Sequence, residues 1–337
     1  MMFHKICIYG AGAIGGWMGA RLAQQPGVDL SVVARGATLA ALQTSGLRLH
    51  MSGPSNSPNQ LLSVNAAASQ HPADLGVQDL IIVAVKAPSL VDVAAHIAPL
   101  IGPDTVVLTA MNGVPWWFLQ GFGGVHANTP LSSVDPQGRI AQGIPAAQLI
   151  GCVVHASCSL RSPAEVHHHF GNGLIIGEPS GVVSERVQAL LTLLQNTGFD
   201  TTLSAQIQKD TWYKLWGNMT INPVSALTGA TTDKILNDPL VLNFISQVML
   251  EAKSIGAEIG IPIDQSPEDR HAVTRKLGAF KSSMLQDVEA GRAVELDALV
   301  AAVMELGRIT GVPTPFTDAL FGLARLRMQG LGLYPPG

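Results

Sequence analysis

Residues 6–15 read Ile6-Cys7-Ile8-Tyr9-Gly10-Ala11-Gly12-Ala13-Ile14-Gly15. A β-branched apolar run enters three glycines spaced G-x-G-x-x-G, and the helical stretch Ile14–Gln25 follows directly. In that context the glycines have separate uses. Gly10 permits a tight turn, Gly12 leaves room for a diphosphate, and Gly15 lets the helix close on the strand. The helix N-terminus, with Ala11, Ala13 and Ile14 around it, offers unpaired N–H groups to an anion. The plainer alternative is a glycine-rich turn that binds nothing.

Working outward, short β-branched runs recur at Leu30–Ala34, Leu80–Val85, Val106–Thr109 and Gly151–Ser157, with Phe199–Leu203 as an edge. Helix-length segments separate them, as in a parallel sheet covered on both faces. After Ser204 the strand signal stops. Asp238-Pro239, Ser266-Pro267 and Thr314-Pro315 each put a capping residue before a proline at the first helical position. Gly260, Gly291 and Gly311 stand where helices end. The expectation is a Rossmann-type α/β domain with a mostly parallel sheet over residues 1–205, then an all-α domain over 206–337. Met51–Gln60 reads as a surface loop and Trp116–Thr129 as an aromatic, glycine-rich loop of no readable shape, with Trp116-Trp117-Phe118 a candidate border of the pocket. Leu331–Gly337 has little to pack against and is expected to fray.

The composition narrows the class. The chain has 337 residues, which at roughly 150 per domain gives about two domains. With 47% hydrophobic and 13% charged residues it is not a disordered chain. A net charge of −4 argues against a nucleic-acid partner. Three cysteines, Cys7, Cys152 and Cys158, cannot form a disulfide framework and suit a reducing, cytoplasmic setting. No secretory signal is visible in Met1–Tyr9. The mean hydropathy of +0.29 prompts a membrane check. However, the most apolar region, Leu80–Val114, is interrupted by Lys86, Pro88, Asp92, His96 and Asp104, so no spanning segment is expected.

The second strand-like run ends in Arg35, where NAD-binding chains usually carry an acid for the ribose 2′-hydroxyl. An arginine fork pairs instead with a phosphate dianion, so NADPH is expected over NADH. Lys86 and Asn112 follow two further strands at carboxyl ends that face a ligand cleft in open sheets. In the second domain, Lys214, Asn218 and Asn222 fall within about 80° of one another on a helix otherwise apolar and aromatic. A lysine above two amides suits carbonyl reduction, in which a developing alkoxide needs a proton or a cation. An exposed polar face is the plainer reading of the same stripe.

With these residues in place the sequence resembles the ketopantoate reductase (2-dehydropantoate 2-reductase) family. The resemblance rests on Gly10 to Gly16, Val85-Lys86, Asn112-Gly113 and Lys214-Leu215-Trp216-Gly217-Asn218-Met219-Thr220-Ile221-Asn222-Pro223. It extends to Ser282-Ser283-Met284-Leu285-Gln286-Asp287 and Glu295-Leu296-Asp297. It implies NADPH as reductant and a 2-oxo acid as substrate, 2-dehydropantoate first among them, as in pantothenate biosynthesis. It further implies Lys214 as proton donor, helped into place by Glu295. Asn218, Asn222 and Ser283 would contact substrate, with the substrate carboxylate at Ser283. Asn112 would lie between nicotinamide and substrate, and Arg35 and Lys86 near the adenosine phosphate. Without the resemblance, Ser283 and Glu295 read as ordinary helix residues.

Thr232 stands where compact members carry another substrate-binding Asn, which leaves open a related dehydrogenase with a bulkier 2-oxo or hydroxy acid. A non-catalytic NADPH-binding regulator is the reading from another class, and it has no use for a proton donor. The helical domain is apolar enough for a homodimer. His167-His168-His169 is not read as a metal site, because consecutive strand residues face opposite sides.

Overall fold

The computed structural model describes residues 2–51 and 60–336. They form two compact units, Met1–Met111 with Gly138–Ile207, and Asn112–Gln137 with Gln208–Gly337.

The first unit is built on a ten-stranded sheet, counted among the described residues. Its elements are β1 (Lys5–Tyr9), α1 (Ala13–Leu22), β2 (Asp29–Val33), α2 (Gly36–Ser45), β3 (Leu47–Met51), β4 (Gln60–Val64), β5 (Ala67–Ser69), β6 (Leu80–Val83), α3 (Leu90–His96) and β7 (Val106–Ala110). After these come α4 (Arg139–Gly143), β8 (Leu149–Ser162), β9 (Glu165–Gly177), α5 (Glu185–Asn196) and β10 (Asp200–Leu203). The strand order is β4-β3-β9-β8-β7-β6-β1-β2-β5, with β10 on β9. All pairs are parallel except β3 with β4 and β8 with β9. The central strands β6 and β7 are buried at every position, which is why they read as unbroken apolar runs. Three elements carry no such run. β3, β4 and β5 lie toward the sheet edges, and their half-exposed sequences LRLHM, QLLSV and AAS give no strand signal. Met51 and Gln60, the ends of the expected surface loop, pair across β3 and β4. Residues 52–59 lie outside the described residues.

On β9 the three histidines alternate. His167 and His169 share a face, with ring centroids 4.4 Å apart. His168 stacks on Trp17 from the opposite face at 5.5 Å. Among the described residues no cluster of His, Cys, Asp or Glu is arranged to hold a metal ion.

The second unit is helical: α6 (Ile207–Thr228), α7 (Thr232–Asn237), α8 (Pro239–Glu258), α9 (Pro267–Arg275), α10 (Ser283–Glu289), a π-helical turn Asp297–Ala301, α11 (Ala302–Thr310) and α12 (Pro315–Gly330). Its core joins Trp212, Trp216 and Met219 of α6 to Val248, Met249 and Ala252 of α8. The Trp216 indole N–H donates to the Met249 carbonyl at 2.7 Å, so a buried aromatic leaves no orphaned donor. Two of the expected caps form. Asp238 accepts from Leu240 and Val241, and Ser266 and Asp269 make a reciprocal capping box. The third does not. The Thr314 hydroxyl turns to Asp318, and Glu251 of α8 accepts from the N–H groups of Phe316 and Thr317 at 2.8 and 2.9 Å instead. A carboxylate is the stronger acceptor at a positive helix end.

Two loop expectations give way to packing. Trp116, Trp117, Phe118 and Leu119 are buried, and Phe118 lies 5.8 Å from the Trp212 ring. Phe118 and Leu119 therefore belong to the helical unit's core. The tail does not fray at Leu333 and Tyr334. The Leu333 carbonyl accepts from Val294 N–H at 3.2 Å, and the Tyr334 hydroxyl donates to Asp297 Oδ1 at 2.5 Å.

Candidate functional site

In the first unit the glycine loop runs from β1 to α1. Gly10 has φ +99°, and a Cβ there would lie 2.6 Å from Val85 Cγ1. A Cβ on Gly15 would strike the Gly10 carbonyl oxygen, so this position sets how closely α1 approaches the strand. Gly12 differs, since nothing lies within 4 Å of the Cβ it lacks. The protein itself has no need for glycine there. Gly12 caps α1, and the first turn, which begins with Ala13 and Ile14, contains no acid to neutralise its positive end.

A groove of about 550 Å³ opens over this loop, walled by Gly10, Ala11, Gly12, Arg35, His71 and Asp92 among others. Tyr9 also lines it, and its hydroxyl is pushed up to about 12 by burial and then by the charge of Asp92. Arg35 is exposed at the start of α2, and its Nη1 lies 3.0 Å from Asp92 Oδ2. Asp92 is also 3.4 Å from His96 Nδ1. The sequence gives Arg35 no acid, because Asp92 follows it by 57 positions and reaches it only through the fold. Lys86 stands between the groove residues Val85 and Ser89, at the start of a short 3₁₀ turn, with its ammonium enclosed.

In the second unit Lys214 Nζ donates to Asn112 Oδ1 at 2.7 Å. An amide oxygen orients the ammonium without cancelling its charge. The backbone after Asn112 is held firmly. Val114 N–H donates to the Ala298 carbonyl at 2.8 Å. Gly113, at φ +85°, sits so near Ala298 that a Cβ would come within 2.6 Å of its oxygen. Ala298 belongs to the π-helical turn, a feature that recurs at functional sites. Along α6, Lys214 and Asn218 are half-buried and Asn222 is buried. Asn222 Nδ2 lies 3.4 Å from Ser283 Oγ, which extends the stripe to the first residue of α10. Ser282 does the capping there, accepting from Leu285 N–H at 3.1 Å, so the Ser283 hydroxyl is not used as the cap. Glu295 is half-buried two residues before the π-helical turn, and its carbonyl accepts from Leu299 N–H at 3.2 Å.

Thr232 has a structural use. It is buried, and its hydroxyl donates to the Gly278 carbonyl at 2.6 Å, tying α7 to the segment before α10. Asp287 of the Ser282–Asp287 segment is likewise committed, to Arg292 at 3.1 Å.

Comparison with known proteins agrees with these features. The family described as Ketopantoate reductase PanE/ApbA matches residues 6–181, and its C-terminal part matches residues 206–328. A 2-dehydropantoate 2-reductase of Mesorhizobium japonicum is 43% identical over 98% of this chain and 99% of its own. A Ralstonia solanacearum MolK2 structure, provisionally named a ketopantoate reductase, superposes with TM-score 0.92 at 53% identity, covering 98% of this chain and all of that one. The 2-dehydropantoate 2-reductase of Methylococcus capsulatus superposes with TM-score 0.79 at 26% identity, over 97% of both chains. The chain belongs to the ketopantoate reductase family.

Proposed function

We propose that this chain reduces a 2-oxo acid to the 2-hydroxy acid with NADPH, the reaction being 2-dehydropantoate to pantoate in pantothenate biosynthesis. The carrying observation is the Lys214 Nζ to Asn112 Oδ1 contact of 2.7 Å on the helix that also bears Asn218 and Asn222.

The residues of the groove fit the dinucleotide. Gly10 to Gly15 and the start of α1 would hold the diphosphate, and Arg35 with Lys86 the 2′-phosphate. NADPH, when bound, supplies the hydride. Lys214 holds the proton at Nζ and passes it to the substrate carbonyl oxygen, leaving neutral lysine to be reprotonated by water. Asn112 fixes the rotamer of that amine, and Glu295 helps position it. Asn218, Asn222 and Ser283 hold the substrate oxygens as neutral donors. This division gives residues 1–205 to the cofactor and 206–337 to the substrate, with Asn112 joining the second group.

No helix among the described residues is long and apolar enough to cross a membrane. We assign the chain to the cytoplasm on its three free cysteines, of which Cys7 and Cys158 are pushed up to about 12 by burial. Phe316, Leu323 and Leu326, exposed along α12, support a homodimer. The test is a panel of 2-oxo acids with NADPH and with NADH, run on the native chain and on Lys214→Ala. We expect 2-dehydropantoate with NADPH to turn over fastest. Lys214→Ala should lose at least about a hundredfold in kcat while binding NADPH as before. Unchanged turnover in that variant rejects the assignment.

A further inference from the structure

Arg270, on α9, reaches across to α6. Its guanidinium lies flat against Gly217, where a Cβ would come within 2.7 Å of Nη2 and 3.0 Å of Cζ and Nε. Cζ also stands 5.3 Å from the Tyr213 ring centroid. Nε is enclosed and has no hydrogen-bond partner. Among the described residues the guanidinium meets no carboxylate within ion-pair distance.

A guanidinium cannot shed its proton to escape burial. Burial lowers the pKa of Arg270, with Tyr213 acting in the opposite direction. Proteins otherwise give an enclosed cation an anion. The half-buried Arg186 follows that rule and pairs with Glu178. The place of Arg270 is also specific. At about 100° per residue, Gly217 and Tyr213 lie about 60° and 100° to one side of Lys214, while Asn218 lies about 40° to the other. The unpaired cation thus lies on the Lys214 side of the row, beside the amine rather than the two amides. Glycine at 217 is what gives it room.

We propose that Arg270 is an anion-binding residue of the substrate site, receiving a carboxylate of the acid that Lys214 protonates. This inference rests on the function proposed above. It adds a charged contact to the neutral ones from Asn218, Asn222 and Ser283, and it ties substrate choice to acids rather than to neutral ketones or aldehydes.

The test compares the native enzyme with Arg270→Met, Arg270→Lys and Gly217→Ala, with 2-dehydropantoate as substrate. The last variant leaves the arginine in place but pushes the guanidinium aside. For Arg270→Met we expect KM to rise about 30-fold or more, with kcat within about fivefold and NADPH affinity unchanged. Arg270→Lys should recover part of the loss, and Gly217→Ala should raise KM in the same direction. Oxalate should raise the Tm of the native enzyme and leave that of Arg270→Met unmoved. A KM within twofold of native in folded Arg270→Met overturns the proposal, as does an oxalate shift that survives the substitution. A residue that only packs on α6 would give a lowered Tm and an unchanged KM. If the native enzyme does not turn over 2-dehydropantoate, the proposed function fails, and the oxalate shift alone then decides the role of Arg270.

Discussion

Replacing Asn112 by aspartate puts a charge beside the proposed acid without changing the shape of its neighbour. Lys214 Nζ is 2.7 Å from the Asn112 oxygen. Two unit charges at that separation attract by about 1.5 kcal/mol in water and about 6 kcal/mol at an effective dielectric of 20. Both residues are half-buried, so a value of about 2 kcal/mol is reasonable, and it favours the protonated lysine. A lysine that holds its proton more tightly is a weaker acid, and the new carboxylate repels an anionic substrate. Asn112→Asp should therefore lose about tenfold in kcat and raise the KM for the 2-oxo acid about tenfold. The alkaline limb of kcat/KM should move to higher pH, because protonated Lys214 now persists there. NADPH oxidation followed from about pH 6 to 10.5 measures all three. Turnover within threefold of native, with an unmoved alkaline limb, would refute the role of the Asn112–Lys214 pair.

Three further outcomes follow from local geometry. Gly12→Ala should keep its Tm yet bind NADPH at least tenfold more weakly, whereas Gly15→Ala should lose stability as well, since only the second Cβ meets protein atoms; calorimetry and a cofactor titration separate them. Glu305 accepts from Ser132 N–H at 2.9 Å and from Ser133 N–H at 2.8 Å. Burial raises its pKa, but these donors outweigh it and hold the carboxyl below its ordinary 4.5. Its stabilisation is therefore present above pH 4.5 and lost as pH falls through the lower folded value. Glu305→Gln should cost about 1 kcal/mol at pH 7, with the gap closing as the pH falls below 4.5, as read from urea midpoints. Tyr334→Phe should cost about 1 kcal/mol by leaving Asp297 short of a donor, and should speed proteolysis of the tail.

The parts of this molecule that could be read from sequence are those decided by near neighbours. The Gly10–Gly15 turn, the central strands and the stripe Lys214–Asn218–Asn222 all depend on spacing within one element. What could not be read depends on residues distant in the chain. Arg35 meets Asp92, Thr314 yields its cap to Glu251, and Arg270 settles on Gly217 only because the fold brings them together. The stretch 116–119 was obscure for a different reason. Its glycines and Pro115 signal a loop, and so it is, but Trp116 to Leu119 are buried all the same. The Thr232 hydroxyl bonds the Gly278 carbonyl 46 residues on, a contact that no local pattern signals.

The helical unit takes its core from two stretches of chain, 112–137 and 208–337. On a ribosome adding roughly 5–20 residues each second, the core side chains Phe118 and Leu119 emerge on the order of ten to forty seconds before α11 is complete. During that interval the helices that bury them have not been made. Moving this short insert to a later point in the gene, or slowing translation just downstream of it, should change soluble yield far more than it changes the finished enzyme.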